Sequence, residues 1–256
     1  MYSNLKARIK QGRRTIKFPP DVSTIPDRLR GLPKIDSSKC PDDCRACVEI
    51  CPTEAIRLDK IDQKNRVQID LGRCLFCVEC QRACPKESIR FSNDYRLAAR
   101  NRADLIVSDQ GIKLADVLSK EIRRVFGRSL KLRQVSAGGC NGCEVDIDVL
   151  GTTVFDMGRF GIQIVASPRH ADALVVTGPV TENMRIALLK TYEATPPPKL
   201  VIAVGACAIS GGPFRDHAET HNGVDNLLPV DLYVPGCPPH PLSILDGLLR
   251  LIGKFK

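Results

Sequence analysis

The sequence has 256 residues, 43% of them hydrophobic, with 38 Lys and Arg against 29 Asp and Glu and a formal charge of +9. That length supplies enough core for one or two domains, which excludes both a disulfide-stapled mini-protein and a disordered chain. The longest apolar run, Leu200 to Ile209, is about half of the ~20 residues a membrane-spanning helix needs, and twelve cysteines without a secretory apolar region point to metal ligands rather than disulfides.

Residues 1–18 carry Lys6, Arg8, Lys10, Arg13, Arg14 and Lys17 and no acid. Residues 1–128 hold 27 basic and 17 acidic side chains, and residues 129–256 hold 11 and 12. The positive charge is therefore that of a tail, with a smaller excess over residues 93–128. A nucleic-acid reader carries its basic charge on a folded face among stacking aromatics, and at 5% aromatic residues this chain does not fit. The tail suits an acidic partner or anionic lipid headgroups; a solvated, frayed terminus is the plainer reading. Arg13-Arg14-Thr15-Ile16-Lys17-Phe18 resembles the start of a twin-arginine export signal, but Pro19-Pro20-Asp21 stands where the apolar stretch belongs. The chain reads as cytoplasmic.

Four segments follow in order. Residues 1–36 are a basic tail and a Pro-rich arm, with Pro19, Pro20, Pro26 and Pro33 arguing against helix. Residues 37–92 are a Cys-rich unit with an internal repeat: Cys44, Cys47, Cys51-Pro52, Glu54, Ile56 and Arg57 recur 33 residues later as Cys77, Cys80, Cys84-Pro85, Glu87, Ile89 and Arg90. Val67 to Leu71 alternates as a strand does. Residues 93–128 read as a connector whose Leu114, Leu118, Ile122 and Val125 predict a helix stopped at Gly127. Residues 129–256 alternate strands (Leu130–Val135, Gly161–Ala166, Ala173–Thr177, Lys199–Val204, Leu232–Val234) with helices (Glu144–Phe155, Glu182–Tyr192, Pro241–Ile252). That alternation predicts a doubly wound, flavodoxin-like α/β domain behind the Cys-rich unit.

Two cysteine runs define the first candidate centres: Cys40-x3-Cys44-x2-Cys47-x3-Cys51-Pro52 and Cys74-x2-Cys77-x2-Cys80-x3-Cys84-Pro85. A loop of this spacing wraps three corners of an iron–sulfur cube, and in two-cluster ferredoxins the fourth ligand comes from the other run. Cluster one is thus assigned Cys40, Cys44, Cys47 and Cys84, and cluster two Cys74, Cys77, Cys80 and Cys51. Zinc held by CxxC pairs would leave half of these cysteines idle and the repeat unexplained. The three residues between Cys40 and Cys44 widen that loop. Cys140, Cys143, Cys207 and Cys237 lie just past the carboxyl ends of predicted strands, where open α/β sheets place their ligands. Gly138, Gly139, Gly142, Gly205, Gly211, Gly212 and Gly236 surround them. They read as a third four-thiolate set, and four buried structural cysteines are the alternative.

At this point the chain resembles two families. Cys140-Asn-Gly-Cys143-Glu144, Ser167-Pro-Arg-His-Ala-Asp172, Gly178-Pro-Val-Thr181, Gly205-Ala-Cys207 with Gly211-Gly212, and Val234-Pro-Gly-Cys237-Pro-Pro239 are similar to the small-subunit module of membrane-bound energy-converting [NiFe] hydrogenases and the 20-kDa-type subunit of complex I. Residues 13–92, including Pro26-Asp-Arg-Leu-Arg-Gly31, are similar to complex I's 23-kDa-type two-cluster subunit. The resemblance implies two fused subunits, with residues 37–92 an α+β two-cluster ferredoxin domain ahead of the α/β domain, and three [4Fe–4S] clusters. It implies partners: a large catalytic subunit (Ni–Fe-bearing in the hydrogenases), an electron-donor subunit or soluble donor, and membrane-arm subunits, with the complex on the inner face of the cytoplasmic membrane.

The Cys140-x2-Cys143 spacing, in place of adjacent cysteines, favours a formate-hydrogenlyase-type electron-transfer subunit over a complex-I-like quinone oxidoreductase subunit; a freestanding polyferredoxin carrier has no need of the α/β half. The chain is expected to serve an oxidoreductase while holding no complete catalytic centre itself. Glu144 and Asp146 are candidates for a proton route or simple helix-dipole complements. His170 is a candidate donor to a cluster sulfur or an interface residue, and His217, His221 and His240 show no ligand pattern.

Overall fold

The computed structural model describes residues 2–21, 25–61, 64–118, 124–126 and 128–255. The second half is built on one parallel sheet of β6 (Leu130–Ser136), β7 (Ile162–Ile164), β8 (Ala173–Thr177), β9 (Leu200–Val204) and β10 (Leu232–Val234). Their order is β10-β9-β8-β6-β7, the flavodoxin-like winding, with its switch point between β6 and β8. Every residue of β8 and β9 is buried, because helices cover both faces of a parallel sheet and leave no polar side. The helices are α4 (Gly142–Val149), α5 (Glu182–Ala194), α6 (Ala206–Ser210) and α7 (Pro241–Leu251). Ten of the eleven residues of α7 are buried.

The first half carries the 33-residue repeat into space. An outlying helix, α1 (Tyr2–Gln11), precedes it. β1 (Pro33–Ile35) pairs antiparallel with β4 (Ile89–Phe91), and β2 (Ile56–Ile61) pairs antiparallel with β3 (Lys64–Asp70). Short helices α2 (Ala46–Glu49) and α3 (Glu79–Ala83) start 33 residues apart and pack on one another. Glu54 and Glu87 share a left-handed φ of 51°, so the turn after each Cys-Pro is the same turn twice.

The two halves share one core. Ile69, Leu71 and Leu105 belong to the same buried cluster as Val135, Val176, Ile209 and Tyr233. Ala99 and Tyr233 exchange both backbone hydrogen bonds, at 3.0 and 2.9 Å. Arg215 donates to the Glu54 carboxylate at 2.9 Å.

Three expectations are corrected. The helix expected over Glu144–Phe155 spans Gly142–Val149. It stops because Thr152 turns its hydroxyl back on the Val149 carbonyl at 2.7 Å and Gly151 follows the last turn. The strand expected over Gly161–Ala166 is only Ile162–Ile164. In the connector, Leu114 and Leu118 are not helical. The Ala115 and Leu118 N–H groups donate instead to the Ala98 and Leu251 carbonyls, at 2.7 and 3.1 Å, and those donors are lost to a helix. Ile122 and Gly127 lie outside the described residues. The connector also supplies β5 (Ile106–Val107), a third strand beside β3.

Candidate metal centres

The twelve cysteines fall into three groups of four, seen in which of them line a common cavity or act on a shared buried thiol. Burial, and then the charges of Cys40, Cys84 and Cys44, push the Cys47 thiol up to about 11; burial likewise raises Cys40, which senses Cys44 and Cys84. The first set therefore brings Cys84 across from the second run. Burial raises Cys80 to about 12, with Cys51 and Cys77 its strongest charged neighbours. Cys74 is raised by burial and senses Cys80, Cys51 and Cys77. One cavity is lined by Cys51, Cys74, Cys77 and Cys80 together. Cys84 thus stands with the thiols of the first run, and Cys51 with those of the second.

The third set lies at the carboxyl edge of the parallel sheet. Cys140 and Cys143 follow β6, Cys207 follows β9 within α6, and Cys237 follows β10. A cavity of about 110 Å³ is lined by all four, with Gly139, Gly142, Gly178 and Gly236. Burial raises Cys143, and the charges of Cys207, Glu144, Cys237 and Cys140 add to it. Two glycines make room for sulfur: a Cβ at Gly205 would meet the Cys143 Sγ at 2.5 Å, and one at Gly212 the Cys207 Sγ at 2.8 Å. Cys140 and Cys237 are exposed, whereas Cys47, Cys74 and Cys80 are buried.

These donor sets fit iron–sulfur cubes. Buried thiols that raise one another resist ionisation, and a cationic iron core is what makes four thiolates tolerable in one place. Among the described residues no group of three or more His, Cys, Asp or Glu side chains is gathered as for a single metal ion; the corners of a cube share no such common point. Backbone donors aim at the sulfurs as well. The Ala55 and Ser88 N–H groups donate to Cys51 and Cys84 Sγ, each at 3.2 Å, and the Phe76 N–H donates to Cys74 Sγ at 3.3 Å. At Cys84 burial works against the thiolate, but the N–H groups of Ser88 and Lys86 outweigh it and hold the thiol below its ordinary value.

The sets also follow one another through the molecule. Cys47 of the first lies within electrostatic reach of Cys80 of the second, and Cys77 of the second within reach of Cys237 of the third. Arg30, on the arm, donates to the Phe76 carbonyl at 3.1 Å. There the arm lines a groove of about 370 Å³ with Phe76, Cys237, His240 and Asp146.

Other polar candidates are now placed. Glu144 is buried, and its Oε1 accepts the hydroxyls of Ser136 at 2.6 Å and Thr177 at 2.7 Å. Asp146 is half-buried in the groove and raised by desolvation. His170 lies in the turn before β8, at the amino edge of the sheet, opposite the third set, so it gives nothing to a sulfur there. His217 Nδ1 accepts the Glu219 N–H, His221 pairs with Glu182 at 2.6 Å, and His240 caps α7. Sequence reasoning missed Ser136, Thr177, Arg30 and the sulfur-directed N–H groups. Only Ala55 and Ser88 carried a signal, being 33 residues apart in the repeat.

Residues 140–251 match the family described as NADH ubiquinone oxidoreductase, 20 Kd subunit, and residues 39–88 match the 4Fe-4S dicluster domain. A probable membrane-bound hydrogenase subunit, mbhJ, of Pyrococcus furiosus is 44% identical over 53% of this chain and 81% of its own length. The chain belongs to the 20-kDa-subunit family. Formate hydrogenlyase subunit 7 of Escherichia coli is 47% identical over 50% of this chain and 51% of its own length, so the chain spans about half of that relative. An NADH-quinone oxidoreductase subunit of Bacteroides thetaiotaomicron is 44% identical over 51% of this chain and 66% of its own length. This 20-kDa-type chain, with a dicluster domain ahead of it, is an iron–sulfur electron-transfer subunit of an oxidoreductase complex of the hydrogenase and complex I kind.

Proposed function

We propose that the chain is a three-centre electron relay serving the large subunit of a formate-hydrogenlyase or energy-converting-hydrogenase type of complex. Cys40, Cys44, Cys47 and Cys84 would hold the first [4Fe–4S] cluster, Cys51, Cys74, Cys77 and Cys80 the second, and Cys140, Cys143, Cys207 and Cys237 the third. Each cluster, when bound, accepts and returns single electrons at a potential set by its surroundings. The observation that supports the reading is that Cys77 of the second set lies within electrostatic reach of Cys237 of the third, where Phe76 and Cys237 line the same groove.

The residues of the chain fix spacing, exclude water and tune. Buried Cys74 and Cys80 shield the second set on one side, while Cys51 and Cys77 are half-buried. The paired N–H donors at Ala55 and Ser88 favour electron-rich sulfur. The exposure of Cys140 and Cys237 supports a partner docked at the third set, where the relay would end. On this reading the described residues of the chain hold no complete catalytic centre, and proton reduction belongs to the large subunit.

The Cys140-x2-Cys143 spacing favours the hydrogenase type over the quinone type. The test is the purified complex, assayed for nickel and for hydrogen evolution from a reduced viologen. Nickel with hydrogen evolution is the expected result. A nickel-free complex that reduces a quinone analogue instead would overturn the hydrogenase reading and leave the relay standing.

A further inference from the structure

The helix α1 has no role in the relay, and its side chains are free of the body: none of its residues is buried. Three large apolar side chains are held in water, Tyr2 at 79%, Leu5 at 59% and Ile9 at 75% exposure. At 3.6 residues per turn they form one stripe. Lys6 and Lys10 lie along one flank of that stripe and Arg8 along the other, while Ser3, Asn4, Ala7 and Gln11 occupy the opposite face.

That arrangement differs from a solvated polar helix and from a helix docked on a protein core. Basic side chains bordering an apolar stripe on both sides can bury their stems beside it and keep their charges at headgroup level. Ten residues rise about 15 Å, half of the ~30 Å hydrocarbon core, so the helix suits the membrane plane rather than a crossing.

The body presents a matching surface where the arm lands. Gly12 ends α1 with a left-handed φ of 62°. Four residues later the Ile16 N–H donates to the Val154 carbonyl at 2.9 Å, and Arg159 donates to the Ile16 carbonyl at 2.8 Å. Phe18 then packs edge-on against Phe160 and Phe255, with centroids 5.9 and 5.0 Å away. Exposed residues near this anchor include Arg13, Arg14, Lys17, Val154, Arg159 and Lys254, with the uncharged Thr152 and Thr153; two acids accompany them, Asp21, which is exposed, and Asp156, which is half-buried. Helix and anchor are thus both basic, each with apolar side chains among its charges.

We propose that α1 and the Ile16–Phe18 anchor form an interfacial docking surface for an anionic lipid bilayer, with Tyr2, Leu5 and Ile9 inserted at the acyl boundary and the flanking Lys6, Arg8 and Lys10 among the headgroups. Charge complementarity and the two-sided basic border select lipid over an acidic protein, which would meet the charges without needing the stripe. The proposal takes its setting from the reading of the chain as part of a membrane-associated complex, but it does not depend on the number of clusters.

The test is sedimentation of the full chain, prepared anaerobically with its iron, against vesicles with and without phosphatidylglycerol. Binding to phosphatidylglycerol vesicles, absence of binding to phosphatidylcholine vesicles, and weakening by salt are expected. Each of K6Q, R8Q and K10Q should weaken binding roughly fivefold, and the L5E/I9E pair should abolish it, with iron content and circular dichroism unchanged. No binding to anionic vesicles would overturn the proposal, as would binding that survives both sets of substitutions. Lipid-independent capture of another subunit of the complex through Lys6, Arg8 and Lys10 would overturn it in favour of a protein partner. Loss of iron in these variants would make α1 part of the cluster-bearing fold and also overturn it. A wild-type iron count short of three clusters would instead strike the relay and leave the lipid surface standing.

Discussion

The buried hydroxyl of Ser210 donates to the Gly72 carbonyl at 2.8 Å, 138 residues away. Ser210 ends the helix that carries Cys207, and Gly72 opens the loop that leads to Cys74. This bond therefore joins the supports of the third and second cysteine sets directly. Ser210→Ala leaves the Gly72 carbonyl buried and unpaired, which costs about 1–3 kcal/mol. Denaturant unfolding should report that loss with iron content intact; an unchanged midpoint would mean that the joint is held by other contacts.

The glycine at 205 has a left-handed φ of 91° and abuts the Cys143 sulfur. Gly205→Ala should displace that ligand and remove the third cluster, about four of twelve irons per chain, while the two ferredoxin clusters keep their signals. A full iron complement in this variant would show that the sulfur can yield.

Glu144 is held by Ser136 and Thr177, and its charge is felt at both Cys143 and Cys207. Glu144→Gln removes a negative charge beside the third set. Its midpoint potential should rise by tens of millivolts, the order expected for one charge several ångströms away in a protein. A redox titration followed by electron paramagnetic resonance measures this, and an unmoved potential would place the charge outside the tuning of the cluster.

The crossing of ligands gives a distinctive pair of variants. Cys84→Ser should damage the cluster held by the first run, and Cys51→Ser the cluster held by the second. If each substitution instead damages the cluster of its own run, the assignment is wrong.

How much of this was legible in the sequence follows from what each feature depends on. The two cysteine runs and their repeat were readable because their spacing lies along short loops, and the repeat of Glu54 and Glu87 became a repeated left-handed turn. The strands of the parallel sheet were readable as apolar runs, since both faces are covered. The connector was not, because tertiary hydrogen bonds decide it: Ala115 and Leu118 donate to distant carbonyls, overriding a helical periodicity. The hold of Ser136 and Thr177 on Glu144 brings together three separate elements and has no local signature. The helix at Tyr2–Gln11 was read only as charge, although its apolar stripe was present in the sequence.

The central claim is three four-thiolate clusters in one chain. Iron and acid-labile sulfide, measured on strictly anaerobic protein, test it most directly. About twelve of each per chain is the predicted result; about eight, with the Cys140, Cys143, Cys207 and Cys237 thiols all free to alkylation, would contradict it.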